Sequence, residues 1–75
     1  MSRRDRLVRH SVRERFIVTL AGGESFEGLL FEVDEKTLHL VDAYAIDGSS
    51  SVKVDGVLFL PRERVAYMQK PGVRG

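Results

Sequence analysis

The alternation of apolar and polar side chains that begins at Phe16 is the feature that most constrains this chain. In the segment FIVTL, Phe16, Val18 and Leu20 fall on one side of an extended backbone, and the residues between them fall on the other. A period of two is typical of a strand with one buried face. Because 75 residues make one domain at most, such strands must share a single small core.

Glycine and proline divide the rest of the chain into short strands. The pair Gly22 and Gly23 predicts a tight turn, and Asp34 opens a second turn. Gly28 lies inside a strand, where glycine marks a sharp bend or a close approach of two backbones. Pro61 ends a later strand, because proline cannot donate to a ladder. The predicted strands cover residues 16–20, 26–33, 37–43, 52–60 and 65–69, with a loop over 44–51.

The charges are unevenly distributed along the chain. Residues 1–15 hold six arginines against two acids, a formal charge of +4, whereas residues 16–59 hold two lysines against eight acids, a charge of −6. Residues 60–75 hold four basic residues against one acid, a charge of +3. Ser2 and Asp5 match a helix start, so a short helix is predicted over about residues 3–10.

These elements predict a mainly β fold, with a short N-terminal helix followed by a five-stranded, strongly bent antiparallel small barrel. Residues 1–15 form the basic helix or arm, 16–69 the barrel and 70–75 a C-terminal tail. Phe59 is also expected in the core, and Tyr44 is expected to be the one free aromatic residue. The predicted core consists of Phe16, Val18, Leu20, Phe26, Leu30, Leu38, Leu40, Leu58, Leu60 and Tyr67.

Two segments resemble the sequence motifs of Sm and Sm-like (Lsm) proteins. The first, FIVTLAGGESFEGLLFEVDEKTLHLVDA, has a hydrophobic strand, a glycine turn and a strand with a central glycine that leads to an aspartate. The second, GVLFLPRERVAYM, has an apolar strand, a short turn and a strand with a tyrosine. The resemblance covers residues 12–69 and implies that family's small barrel and its rings. Similar patterns also occur in SH3-like barrels, so the expected barrel is Sm-like or SH3-like. The matching residues are Phe16, Val18, Leu20, Gly23, Phe26, Gly28, Leu30, Val33, Asp34, Leu58, Leu60, Val65 and Tyr67.

The chain departs from the family at the positions that bind uridine. The family's pocket uses an Asn shortly after the motif Asp, and an Arg-Gly pair in the second motif. This chain has no Asn; Thr37 or Leu38 stands at the first position, and Pro61-Arg62 stands at the second. Asn can make a paired hydrogen bond to a base edge, whereas Thr offers one hydroxyl and Leu offers none. The sequence therefore argues against base-specific recognition of RNA by that pocket.

Few residues could carry catalysis or hold a metal. The absence of Cys excludes disulfides and thiolate zinc sites, and the two histidines, His10 and His39, do not make a metal site. His39 is expected at the surface, on the outward face of a strand. Asp34 is expected to cap its turn through its side chain while Glu35 is solvated. We expect no enzyme activity, no catalytic residue, no metal, no cofactor and no small-molecule substrate.

The longest apolar run is far shorter than the roughly 18 residues that a membrane span needs. No apolar stretch follows the basic start, as a secretory signal would require. We therefore expect a cytoplasmic protein that has no membrane partner.

The last two predicted strands are expected to leave open edges, since so short a barrel does not close fully. An open apolar edge invites pairing with another chain. Pairing of the fourth strand with the next subunit's fifth strand is head-to-tail, so it closes into a ring or continues as a filament. The residues expected at this seam are Val57, Leu58, Phe59, Leu60, Val65, Ala66, Tyr67 and Met68.

Two functions remain open from the sequence. The first is a non-catalytic assembly and interaction module, a homo-oligomeric ring whose basic segment meets an acidic partner or the acidic body of a neighbouring subunit. The alternative is an RNA-binding protein that contacts phosphates without reading sequence. The missing Asn and the acidic body favour the first. The residues that would bind nucleic acid or another anion are Arg3, Arg4, Arg6, Arg9, Arg13, Arg15, Arg62 and Arg64.

Overall fold

Six strands form one antiparallel sheet in the computed structural model, which describes residues 13–71. The predicted helix over residues 3–10 lies outside the described residues. A short 3₁₀ turn, Arg62–Arg64, joins the last two strands. The strands are β1 (Arg15–Leu20), β2 (Ser25–Val33), β3 (Thr37–Asp47), β4 (Ser50–Val54), β5 (Leu58–Pro61) and β6 (Val65–Gln69).

The order of strands across the sheet is β4-β3-β2-β1-β6, and β5 pairs with the first part of β3. The long strand β3 therefore has β5 beside residues 37–40 and β4 beside residues 43–47. Within residues 13–71, β5 pairs only with β3 and β6 only with β1, so the sheet is strongly bent but not closed. The open edges were predicted correctly, whereas the number of strands, five, was wrong.

Two parts of the strand prediction were wrong, and the second of them accounts for the extra strand. Residues 44–51 were predicted to form a loop, but β3 continues to Asp47 and β4 begins at Ser50. Gly48, with φ at +63°, and Ser49 form a two-residue turn of the kind that joins hairpin strands. The single predicted strand over 52–60 is divided into β4 and β5 at Gly56, whose φ of +78° interrupts the extended backbone.

The bent sheet brings β2 and β3 close together at Gly28, as its place inside a strand predicted. A Cβ added there would lie 3.0 Å from the Cβ of Ala43 and 3.2 Å from its Cα, so the neighbouring atoms would have to shift by a few tenths of an ångström. The register between β2 and β3 shifts on both sides of Leu29 and Leu30, which is the effect of bulges. Asp42, with φ at +50°, lies at the same bend on β3.

The core lies on the inner side of the bent sheet, where the period-two pattern placed it. Phe26 and Leu58 pack against it while partly exposed. Two aromatic predictions were wrong: Phe59 is 58 % exposed and Tyr67 is 56 % exposed. Phe59 lies opposite His39 and Tyr67 opposite Thr19, so both belong to the outer face of the sheet. The buried residues are Phe16, Val18, Leu20, Leu30, Leu38, Leu40, Ala43 and Leu60.

Candidate functional site

The turn between β2 and β3 is held by Asp34. Its Oδ1 accepts hydrogen bonds from the backbone N–H groups of Lys36 at 2.9 Å and Thr37 at 2.7 Å. The N–H of Asp34 donates to the carbonyl of Thr37 across the same turn. These contacts confirm that Asp34 caps its turn. The N–H of Lys36 above all, and then His39, lower the pKa of Asp34 below its ordinary value.

His39 lies on the outer face of β3 and joins this turn to β5. Its Nε2 is 3.0 Å from Oδ2 of Asp34, and its ring meets the ring of Phe59 edge to face at 4.7 Å between centroids. The side chain is 17 % exposed, so His39 is more buried than the expected surface residue. The aromatic contact and the carboxylate together fix the orientation of the imidazole ring.

The 3₁₀ turn of the second motif packs against the Asp34 turn of the first motif. The N–H of Arg62 donates to the carbonyl of Lys36 at 2.8 Å, and the Arg62 guanidinium donates to the carbonyl of Asp34 at 3.0 Å. Leu38 is 3 % exposed and pairs with Leu60 on β5, whereas Thr37 lies half-buried beside the same turn. The structure thus places the turns of the two motifs, with Thr37 and Arg62, next to each other.

The arginines proposed to bind anions are placed differently from one another. Arg62 contacts the Asp34 turn, and Arg64 lies exposed on the same 3₁₀ turn. Arg13 is exposed where the described chain begins. Arg15, whose side chain is 34 % exposed, lies in a network of ion pairs with Glu27 and Asp42. Four proposed residues lie outside the described part of the chain: Arg3, Arg4, Arg6 and Arg9.

The network around Arg15 is centred on Asp42, a residue that sequence reasoning did not single out. Asp42 contacts the guanidinium of Arg15 at 3.0 Å and Nζ of Lys53 at 2.5 Å, while Glu27 contacts Arg15 at 3.4 Å. Lys53, followed by Arg15, lowers the pKa of Asp42, and Asp42 raises the pKa of Lys53. The Lys53 ammonium also lies 5.2 Å from the centroid of the Tyr44 ring, so Tyr44 is not free as expected.

The seam residues of β5 and β6 form two open edges with exposed apolar side chains. Val57 is 43 % exposed, and Phe59 and Tyr67 are more than half exposed, whereas Leu60 points into the core. A groove of about 440 Å³ runs beside β6 and is lined by Leu38, the 3₁₀ turn and the β6 residues as far as Met68. Unsatisfied backbone edges beside apolar side chains are typical of a strand that pairs with another chain.

The described residues contain no group of three or more His, Cys, Asp or Glu side chains that could hold a metal ion. Over the same stretch of chain, no helix has the length and apolar character needed to cross a membrane.

Solved structures with the same fold include several Sm proteins. No protein-family model matches the chain, and no curated protein sequence matches it. The SmAP1 heptamer of P. aerophilum is 23 % identical, with a TM-score of 0.82 over 96 % of this chain and 99 % of that one. The Pyrococcus abyssii Sm protein in complex with a uridine heptamer is 25 % identical, with a TM-score of 0.78 over 91 % and 97 %.

A similar chain also occurs in a different kind of assembly. A chain of the NatC complex bound to CoA is 26 % identical to this one, with a TM-score of 0.74 over 85 % of this chain and 83 % of that one. The chain therefore has the Sm fold, as its two sequence motifs predicted.

Proposed function

We propose that this chain is a non-catalytic Sm-like assembly module that forms a homo-oligomeric ring and acts through protein–protein contacts. The observation that carries the proposal is the pair of open edges at β5 and β6. Each has a single partner strand among the described residues, and each carries exposed apolar side chains beside its free edge. A monomer that kept both edges free would be liable to aggregate.

The two edges are suited to each other. β5 has four residues and β6 has five, so one strand can pair along the whole of the other. Pairing β5 of one subunit with β6 of the next continues the sheet and covers Phe59 and Tyr67 together. Because this contact is head-to-tail, it must close into a ring or continue as a filament. The SmAP1 heptamer, with the same fold, supports closure.

Light scattering at micromolar concentration tests the ring. The wild-type chain is expected at several times its subunit mass of 8.5 kDa. Phe59→Asp places a charge at the seam and should reduce the assembly to single subunits. Phe31→Asp is the matched control, because Phe31 is also exposed on the outer face, at 43 %, but lies on β2, away from both open edges.

Comparing the two variants shows whether a charge disrupts the assembly only at the seam or anywhere on the outer face. An assembly that survives Phe59→Asp, or that is lost equally in Phe31→Asp, would contradict pairing through β5. A wild-type mass near 8.5 kDa would contradict the ring itself. Circular dichroism of both variants should match the wild type, since neither side chain contributes to the core.

Charge supports a protein partner for the assembled module. Residues 16–59 carry a formal charge of −6 and residues 1–15 carry +4, so the basic segment suits an acidic partner or the acidic body of a neighbouring subunit. The similar chain of the NatC complex supports a place for such a module among other proteins.

A second candidate function is contact with RNA phosphates, and the position of Arg62 beside the Asp34 turn favours it. The similar Pyrococcus protein, which was solved in complex with a uridine heptamer, supports RNA as a ligand. Thr37 offers one hydroxyl there, so we expect binding without base preference. The basic segment would add further phosphate contacts.

Copurifying nucleic acid, seen as a high 260/280 absorbance ratio that salt removes, distinguishes this candidate from the first. Replacing Arg3, Arg4, Arg6, Arg9 and Arg13 with Gln should then weaken binding and make it less dependent on salt, because fewer phosphates are neutralised. Arg15 is left in place because it holds Asp42 and Glu27. Binding that persists with an unchanged salt dependence would exclude the basic segment as the anion site.

A further inference from the structure

The sheet has a third open edge, which pairing of β5 with β6 does not use. Within the residues that the structure describes, β4 pairs only with β3 and forms one end of the strand order. Its five residues, SSVKV, contain no proline, and its pairing with β3 continues without a register shift along the whole hairpin. Bulges and prolines are among the features by which proteins protect an edge from other strands.

The turn of this hairpin determines which backbone groups face outward. Asp47 and Ser50 flank the two-residue turn, so they form the hydrogen-bonded pair nearest to it. Bonded and non-bonded pairs alternate along an antiparallel ladder, so Val52 also directs its N–H and C=O toward β3. Ser51 and Lys53 consequently direct theirs toward the free edge.

The charged residue of β4 does not protect this edge. Lys53 contacts Asp42 at 2.5 Å and lies over the ring of Tyr44, so its ammonium is held against its own sheet. The other exposed side chain of note is Val52, at 62 %. It lies beside Ala45 and, across β3, in line with Phe26 on the inner face of the sheet.

We propose that β4 pairs antiparallel with β4 of a second copy, about a twofold axis through Val52. This contact goes beyond the proposed ring, since it uses a different edge and a symmetric geometry. The register places Val52 opposite Val52 of the partner subunit, in a non-bonded pair where side chains approach closely. Ser51 lies opposite Lys53 of the partner subunit, so outward-facing backbone groups meet one another.

The sequence of β4 is suited to pairing with itself in this register. Two copies of Lys53 are kept apart, because each lies opposite a serine rather than opposite the other lysine. Like charges directly opposite each other would weaken the pair. Two exposed valines meet at the centre, where a cross-strand apolar pair gains most from exclusion of water.

A pair of five-residue strands is small beside the roughly 1,200 Å² that a stable interface buries. The contact between two isolated subunits is therefore weak. In a ring every subunit presents its β4 in the same way, and several simultaneous contacts strengthen one another through high effective concentration. The strength of the contact depends on the ring, whereas its register does not.

Cysteine cross-linking tests the register directly, because the chain has no Cys of its own. Val52→Cys places two thiols opposite each other and should give a disulfide-linked dimer under mild oxidation. Ser50→Cys is the matched control on the same exposed strand. Its two copies would lie four residue steps apart along the strands, about 13 Å, and should not link.

A cross-link that forms equally from both variants, or from neither, would overturn the proposal. Repeating the cross-linking in the Phe59→Asp background tests the β4 contact independently of the ring. If the ring is wrong but the β4 contact is right, Val52→Cys still links two subunits at twice 8.5 kDa. If β4 is occupied instead by a peptide of another protein, no link at Val52 forms.

Ser51→Pro tests the free edge in solution by light scattering. Proline there removes a donor that faces outward and leaves the bonds of Val52 to β3 in place. Ser51→Ala is the control, because it keeps the N–H. We expect Ser51→Pro to lower the mass at least twofold while Ser51→Ala retains the wild-type mass; equal masses for the two variants would overturn the proposal.

Discussion

Residues 15–43 and residues 44–71 use their apolar side chains in opposite ways. The first region, with β1, β2 and most of β3, supplies seven of the eight buried core residues of the described chain. The second supplies only Leu60 of these, yet it holds four of the five large exposed apolar residues found between residues 13 and 71: Val52, Val57, Phe59 and Tyr67. The two regions are similar in apolar content and differ in where that content faces.

The difference follows from the pairing of strands. In the described part of the chain, β1, β2 and β3 have neighbours on both edges, whereas β4, β5 and β6 have one neighbour each. A strand with two neighbours has hydrogen-bond partners for its backbone on both edges, and β1, β2 and β3 supply most of the buried side chains. A strand with one neighbour leaves backbone groups and side chains available to another chain. The first region thus forms the subunit, and the second provides surfaces for assembly.

The largest expected effect is on the first region. Leu30 is fully buried at the centre of β2, so Leu30→Ala should lower the free energy of unfolding by about 2–5 kcal/mol. That is a large share of the stability of a small domain. Urea unfolding measures it, with Phe31→Ala as the exposed neighbour, expected within about 0.5 kcal/mol of the wild type. If Leu30→Ala and Phe31→Ala lowered the free energy of unfolding equally, β2 would not have one buried and one exposed face.

A smaller effect is expected at the bend within the first region. Gly28→Ala would force its Cβ against the backbone of Ala43, and overpacking of this kind costs about 1–3 kcal/mol. Gly22→Ala is the matched control, because there the nearest atom is the end of the flexible Glu24 side chain, which can move. If thermal unfolding shows the same loss for both, the close approach of β2 and β3 is not what requires glycine.

The first region could be predicted well from sequence because its pattern and its environment agree. Alternation placed Phe16, Val18, Leu30 and Leu40 in the core, and each of them is buried. The Asp34 cap could be predicted as well, because an Asx turn depends on residues within three positions of the aspartate. Local chemistry was sufficient for both.

The second region was predicted less well because alternation identifies two faces and not the number of neighbouring strands. Phe59 lies between Leu58 and Leu60, so the period of two itself places it on the outer face, and its hydrophobicity alone suggested the core. Tyr67 lies on the outer face because the register between β1 and β6 shifts between Thr19 and Leu20. The three consecutive serines also led to the prediction of a loop where β3 and β4 form a hairpin, although Gly48 supplies the positive φ of its turn. The contacts of the candidate site could not be predicted from local sequence either, because Arg62 and Asp34, which are in contact, are 28 residues apart in the chain.

The smallest expected effect concerns the ionic link between the two regions. Asp42 contacts Arg15 on β1 and Lys53 on β4, so Asp42→Asn removes the charge that both share. Because Lys53 and then Arg15 lower the pKa of Asp42 from 3.8, the folded protein stays ionised at pH values where the unfolded chain is already protonated. The stabilisation is therefore present above about pH 4 and is lost as the pH falls through the folded-state pKa.

Urea unfolding of the wild type and Asp42→Asn at neutral pH and at progressively lower pH measures this loss. The difference between the two should be modest at neutral pH, because the pair is exposed and salt screens it, and it should shrink toward zero in acid. Lys53→Met provides the control: in that background Asp42→Asn should cost less, since the main partner is gone. If the difference in unfolding free energy between the wild type and Asp42→Asn stayed constant across the pH range, Asp42 would act through the backbone bend alone. The link between β4 and the first region would then consist of the hydrogen bonds to β3, without a contribution from charge.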